Sequence, residues 1–335
     1  MPSIEIVRAN PLEYAAGIKE LFVTHERPEF PEFFDRAYPS AVESGGASWI
    51  GFDPEHRPVL HAARFRQCFA LGDRTLVGGL LANLMAATSH RTFIPALTLM
   101  RRIIADSRAE GEIDFLYSDP NPQALGLCRA VGLVPVATMR RFMLPLASRR
   151  WYMDAAIRVY RAIVNLRAPW RRVVAVAHAA DRYDADALER PTGPAPTVRP
   201  FRPIALYRQR LAGYPTASDC WFTLHRRNAA TPSSAAVLVR TSADGVARMM
   251  SVSRDPSMSM SEIIPPIARA LRNDGSTRLW VSTLEESRFA AELARAGFVK
   301  RQDSYPVVAL ALTEAGATAL RTMSNWEITD LDCDR

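Results

Sequence analysis

His61 is a polar residue inside an apolar strand-like run, between Leu60 and Ala62. Two readings fit it: a core histidine bonded to backbone, or a proton acceptor kept neutral by burial. Cys68, Cys128, Cys220 and Cys333 lie far apart with no Cys/His metal spacing, so neither a structural metal nor a disulfide framework is expected. Cys128 falls in a short apolar segment, the setting of a structural thiol rather than a nucleophile. Around Arg91, with His90 beside it, an apolar run gives way to helical periodicity. Such a helix start presents unpaired amides and a positive dipole end to an anion. Asn121, ahead of Pro122, suits a helix cap.

The elements that must position these groups can be read in order. Ile4–Arg8 alternates like a strand, and Asn10-Pro11-Leu12-Glu13 opens a helix whose apolar face is Tyr14, Ile18, Leu21 and Phe22. Pro28 and Pro31 are expected to close it and begin an irregular stretch to Gly45-Gly46. Strands follow at Ser48–Phe52 and Pro58–Leu71, with a hairpin turn at Gly72-Asp73. The apolar run Thr75–Ala87 reads as a central strand. Phe93, Leu97, Met100 and Ile104 mark a helix ending at Gly111. Ile113–Tyr117 is a strand, a short helix runs from Asp119 to Gly132, and Val134–Leu146 is a strand again.

The second half repeats this order. A helix over Ser261–Arg272, a strand over Arg278–Thr283, a helix over Glu285–Arg295 and a strand over Pro306–Leu312 follow one another. Ile113 to Arg278 and Gly132 to Gly297 are both separations of 165 residues (113 to 278, 132 to 297), which points to an internal duplication. Between the halves, Asp181–Pro203 is rich in proline and charge and reads as a linker.

Composition is globular, 48% apolar and 23% charged. The net charge of +7 comes almost wholly from scattered arginines, and no basic stripe with interleaved aromatics marks a nucleic-acid site. The balance favours an anionic ligand. No charge-free run of about 18 residues suggests a spanning helix, and the N-terminus lacks a signal-peptide pattern. A cytoplasmic protein is expected. The basic segment 149–182 offers either peripheral contact with the inner face of a membrane or an ordinary inter-domain helix.

Asn121-Pro-Gln-Ala124-Leu-Gly-Leu127-Cys128-Arg-Ala-Val-Gly132-Leu133 resembles the GNAT pattern NxxAxxLYxxxGF. Arg91-Thr92-Phe93-Ile94-Pro95-Ala96 stands where that superfamily carries RxxGxG/A. The similarity covers most of residues 1–146, with a weaker echo over 204–313. The resemblance implies an α/β (α+β) protein of two tandem GNAT-like domains, each a mixed, mostly antiparallel sheet flanked by helices: 1–147, a connector over 148–203, and a degenerate domain over 204–335. It implies an acyl-CoA-dependent N-acyltransferase, with CoA or a carrier-bound thioester as donor, no metal, and a small amine as acceptor. The ending Asn325–Asp332 is similar to the tail of bacterial GNAT-related proteins linked to exopolysaccharide synthesis, which suggests an amino sugar.

By the same resemblance, Leu84, Met85 and Ala86 would pair with the pantetheine arm. Arg91, Thr92, Phe93, Ile94 and Ala96 would hold the pyrophosphate, and Asn121 and Ala124 would flank it. His61, Asn83 and Tyr117 are the catalytic expectations. Ile94 replaces a glycine, Pro95 has no N–H, and Cys128 stands where a tyrosine acid is usual. Those departures support a second reading, a GNAT scaffold that binds a ligand or partner without catalysis.

Overall fold

A computed structural model describes residues 4–25, 27–71, 74–147, 155–157, 159, 173–179, 198–201, 218–226, 234–255 and 257–329. The first half runs β1 (Glu5–Ala9), α1 (Ala15–Thr24), α2 (Phe30–Glu43), β2 (Ala47–Phe52), β3 (Pro58–Leu71), β4 (Arg74–Ala86), α3 (Phe93–Glu110), β5 (Phe115–Ser118), α4 (Pro122–Ala130) and β6 (Val134–Pro145). After it come β7 (Val173–Ala179), β8 (Val198–Phe201), β9 (Ser218–Arg226), β10 (Ser234–Thr241), β11 (Val246–Arg254), α5 (Met260–Asn273), β12 (Arg278–Leu284), α6 (Arg288–Arg295), β13 (Val299–Ala311) and α7 (Glu314–Leu320).

Helix α2 corrects the expected irregular stretch. Pro31 sits in its first turn, where a missing N–H leaves no hydrogen bond unmade. Phe30, Phe34, Ala37, Tyr38 and Ala41 recur at helical spacing and are buried, and stacking of Phe34 on Tyr38 at 4.2 Å between centroids binds consecutive turns together. The expected linker also contains structure: β8 pairs antiparallel with β3, Cys68 opposite Phe201. Most of the connector's helical face and the Gly72-Asp73 turn lie outside the described residues.

The described strands form one mixed sheet in the order β1-β2-β3-β4-β5-β13-β6-β12-β11-β10-β9-β7, with β8 off this path. Its centre carries a reciprocal exchange. β13, from the end of the chain, lies beside β5 with Ala309 opposite Tyr117. β6, from the first half, lies beside β12 with Phe142 opposite Val281, and β6 and β13 pair with each other. On either flank comes a parallel pair, β4 with β5 and β11 with β12. The order reads the same from both sides, as a duplicated unit that traded last strands would give, and the sheet runs through the boundary expected near residue 147.

Burial follows the exchange. One core joins Phe22, Phe34 and Tyr38 from the start of the chain to Val307, Ala309, Trp326 and Ile328 from its end. A second joins Phe142 and Leu144 to the second-half residues Ile263, Ile267 and Val281. Asp114, just before β5, ties the same junction: its carboxylate accepts from the Val77 amide at 2.8 Å and from the Thr313 hydroxyl at 2.8 Å.

Candidate functional site

β4 carries a bulge near its end. His61 faces Met85 and Ala63 faces Ala82, so Asn83 and Leu84 together stand opposite Ala62. Asn83 has φ +54°, a left-handed conformation that asparagine tolerates better than branched residues. Its side-chain amide donates to the Tyr38 hydroxyl at 3.1 Å. Its carbonyl lies 3.0 Å from His61 Nδ1. A carbonyl only accepts, so Nδ1 carries the proton and Nε2, which has no partner, is the lone-pair nitrogen.

The bulge re-aims β4 where β5 ends. The parallel pairing covers only Gly78–Leu80 against Phe115–Tyr117, and the Ser118 hydroxyl closes the apex by donating to the Leu81 carbonyl at 3.0 Å. Beyond that point the strands part and two cavities open. The outer one, about 360 Å3, lies between Leu84–Ala86, the start of α3 and the face of α4. The inner one, about 150 Å3, reaches Asn83, Ser118, Asp119 and Cys128. Arg27, Leu84, Asn121 and Ala124 line both.

Of the expected site residues, Leu84, Met85, Ala86, Arg91, Thr92, Phe93, Ala96, Asn121 and Ala124 come together around the outer cavity, and Asn83 lines the inner one. Ile94 turns away into a separate apolar cavity of about 340 Å3. His61 and Tyr117 line none of the three. His61 is 0% exposed among Phe22 and Tyr38, and burial pushes its pKa down to about 4 against the pull of the Asn83 carbonyl. The Tyr117 hydroxyl donates to Gln67 Oε1 within the core. Asn121 caps α4 through the Ala124 amide at 2.8 Å while also facing both cavities. Burial raises the Cys128 thiol to about 11, so it stays protonated at neutral pH.

Sequence reasoning missed Arg27 and Ser118. Arg27 belongs to the turn between α1 and α2, which cannot be placed until α2 is recognised as a helix. Ser118 gave no signal beyond standing at a strand end.

His61 has a measurable consequence for stability. The unfolded imidazole takes a proton as pH falls through 6.5, whereas the folded one resists until about 4. Its contribution is therefore complete above 6.5 and lost on descending to about 4, a change of about 3 kcal/mol. Urea unfolding at pH 7 and 4.5 should show a steeper loss in the parent than in His61→Gln; equal slopes would remove the premise of a buried neutral imidazole.

The two helix starts that flank the parallel pairs are not alike. At α3 the N-cap residue Thr92 makes no side-chain cap bond and the first turn holds no acid, which leaves the Phe93 and Ile94 amides free of intrahelical acceptors. At α5, Ser259 and Glu262 form a capping box, and Arg226 clamps the Glu262 carboxylate at 2.8 Å. The second splay is also filled. β11 bulges at Met250, between the positions opposite Leu238 and Val239, and the Thr329 hydroxyl donates to the Met250 carbonyl at 2.6 Å. Arg254 bonds the Glu292 carboxylate at 2.5 Å and the Met258 carbonyl at 2.8 Å within the same region. An anionic ligand would meet a fixed carboxylate there instead of open amides. Among the described residues no cluster of His, Cys, Asp and Glu has metal-binding geometry, and no helix is long and apolar enough to cross a membrane.

A mixed sheet splayed between a bulged fourth strand and a parallel fifth, with a helix start at the opening, is the architecture of the GCN5-related N-acetyltransferases, and this chain has that fold. A GCN5-related N-acetyltransferase from Anabaena variabilis matches 95% of this chain with 75% of its own, at 10% identity and a TM-score of 0.62. One from Kribbella flavida matches 95% with 74% of its own, at 13% identity and 0.62. Eis1 from Mycobacterium abscessus matches 95% with 76% of its own, at 10% identity and 0.57. No family model matches the sequence, and a comparison with curated protein sequences finds no match. At these identities the likeness establishes the fold.

Proposed function

We propose that this chain transfers an acyl group from a phosphopantetheine thioester, such as acyl-CoA, to the amine of a small acceptor. The observation that carries the reading is the outer cavity. It runs from the uncapped start of α3 along the exposed backbone of Leu84–Ala86 to the inner chamber at Asn83. An extended amide-bearing arm can pair with that strand, Arg91 and the free amides of α3 can hold phosphate, and the thioester then reaches the bulge.

In the reaction the amine nitrogen bonds to the thioester carbonyl, the C–S bond breaks, the ammonium loses a proton and the thiolate gains one. Backbone amides at the bulge are the nearest donors for the oxyanion. His61 is closed off from the cavity, so its part is to hold the Asn83 carbonyl and with it the bulge. The ammonium proton leaves through water in the inner chamber, whose polar lining includes Arg27, Asn83, Ser118, Asp119 and Asn121. An amino sugar remains a candidate acceptor on the similarity of the chain's ending, although Trp326 in that ending is a core residue.

A non-catalytic scaffold is favoured by one observation, the Ile94-Pro95 pair at the helix start. Calorimetric titration with acetyl-, malonyl- and octanoyl-CoA, followed by amine-dependent thiol release, separates the two. Binding with turnover supports transfer; binding without turnover across a broad amine panel supports the scaffold. One donor per chain is expected, because the second splay is occupied by the chain itself. Two equivalent donors per chain would refute that assignment. A donor at about 100 times its dissociation constant should add about 2.7 kcal/mol of stability.

A further inference from the structure

The start of α3 offers phosphate few backbone donors. CoA brings a diphosphate and a ribose phosphate, whereas phosphopantetheine attached to a carrier protein brings one phosphodiester. At the start of α3, the Phe93 and Ile94 amides are free and Pro95 contributes none. Arg91 adds a guanidinium whose nearest polar contact is the Met85 sulfur at 4.0 Å. Two amides and the Arg91 guanidinium are enough to hold a single phosphodiester.

Beside Thr92 the surface is largely apolar. The cavity there is walled by Ile4, Ile6, Ile94 and Pro95, with Ser89, His90, Thr92 and Thr98 completing the lining. Ile94 is 63% exposed and Phe93 54%, two adjacent large apolar side chains open to solvent at the helix start. Two arginines, Arg27 and Arg91, lie on its cavity side. No carboxylate lines either cavity among the described residues.

We propose that the donor arrives as a thioester on a small acidic carrier protein, which seats an apolar and acidic helix on the Phe93–Ile94 rim between Arg27 and Arg91. The apolar patch with its two arginines is complementary to such a helix. The inference rests on the acyl-transfer reading and names the partner that delivers the acyl group. The amine attacks the carrier-bound thioester, the C–N bond forms as the C–S bond breaks, and the released carrier thiol takes up the proton that the ammonium gives away.

The test measures the affinity of the full chain for octanoyl carrier protein, octanoyl-CoA and octanoyl-pantetheine. The carrier should bind at least about tenfold more tightly than either small donor, and less so as salt rises. Ile94→Asp, at an exposed position, should weaken carrier binding by about tenfold or more with the melting temperature unchanged. The double change Ile94→Gly and Pro95→Ala restores an amide and clears the approach, so CoA affinity should rise about tenfold. CoA bound as tightly as the carrier overturns the proposal, as does an Ile94→Asp chain with full carrier affinity or a double variant with no gain for CoA. If no thioester binds at all, acyl transfer falls together with the carrier.

Discussion

Asn83→Ile should lower donor affinity and turnover by about 100-fold or more while leaving the chain folded. Two effects converge on that position. A β-branched side chain at φ +54° carries a penalty of about 1–2 kcal/mol. Loss of the side-chain amide leaves the buried Tyr38 hydroxyl short of the donor it has at 3.1 Å, costing about 1 kcal/mol more. Both are relieved if β4 slips by one residue to a regular register. That slip would move Leu84–Ala86 to the opposite face and close the splay against β5. Asn83→Gly is the control, because glycine accepts the same backbone conformation and should keep donor binding within a few-fold. Donor titration of both variants, with far-ultraviolet circular dichroism to confirm folding, decides it. An Asn83→Ile chain that binds donor normally would mean that the bulge does not shape the cavity.

Trp326→Ala should cost about 3–5 kcal/mol of stability, the scale for truncating a large aromatic in a packed core. Trp326 is 1% exposed. Its ring centroid lies 5.2 Å from Phe69 and 5.3 Å from Phe115, and its indole N–H donates to the Ala319 carbonyl at 3.1 Å. Residues near the end of the chain thus pack beneath β3 and β5, the strands that frame the first splay. Urea denaturation followed by tryptophan-independent circular dichroism should show the midpoint shift. A loss under about 1 kcal/mol would show that the tail merely rests on the surface. Because α7 and the tail seal the core beneath the first half, donor-induced stabilisation should shrink in the same variant.

The local chemistry of the site was legible in the residues. Arg91–Ala96 reads as an anion-facing helix start because periodicity changes there, and Asn121 reads as a cap because Pro122 follows it. Leu84–Ala86 reads as central strand because the run is apolar on both faces. Each property depends on a few neighbours in the chain, which is why nine expected donor-binding residues gather around one cavity.

His61 shows where such reading stops. An imidazole in an apolar strand announces burial, but only register decides which face it takes. The bulge at Asn83, one extra residue on β4, aims His61 at the Asn83 carbonyl instead of the cavity. Helix α2 was hidden because Pro28 and Pro31 read as breakers, whereas Pro31 falls in the first turn of a helix that also accommodates Pro39. The duplication was visible as a constant spacing, yet spacing is blind to partners. That β13 lies beside β5 while β6 lies beside β12 is settled by which pairing lets both cores close. Sequence separation carries no information about that choice, since hydrogen bonding between strands is the same whichever half supplies them. Tertiary packing likewise decided that the second splay is filled by Thr329 and Arg254 and that the first stays open.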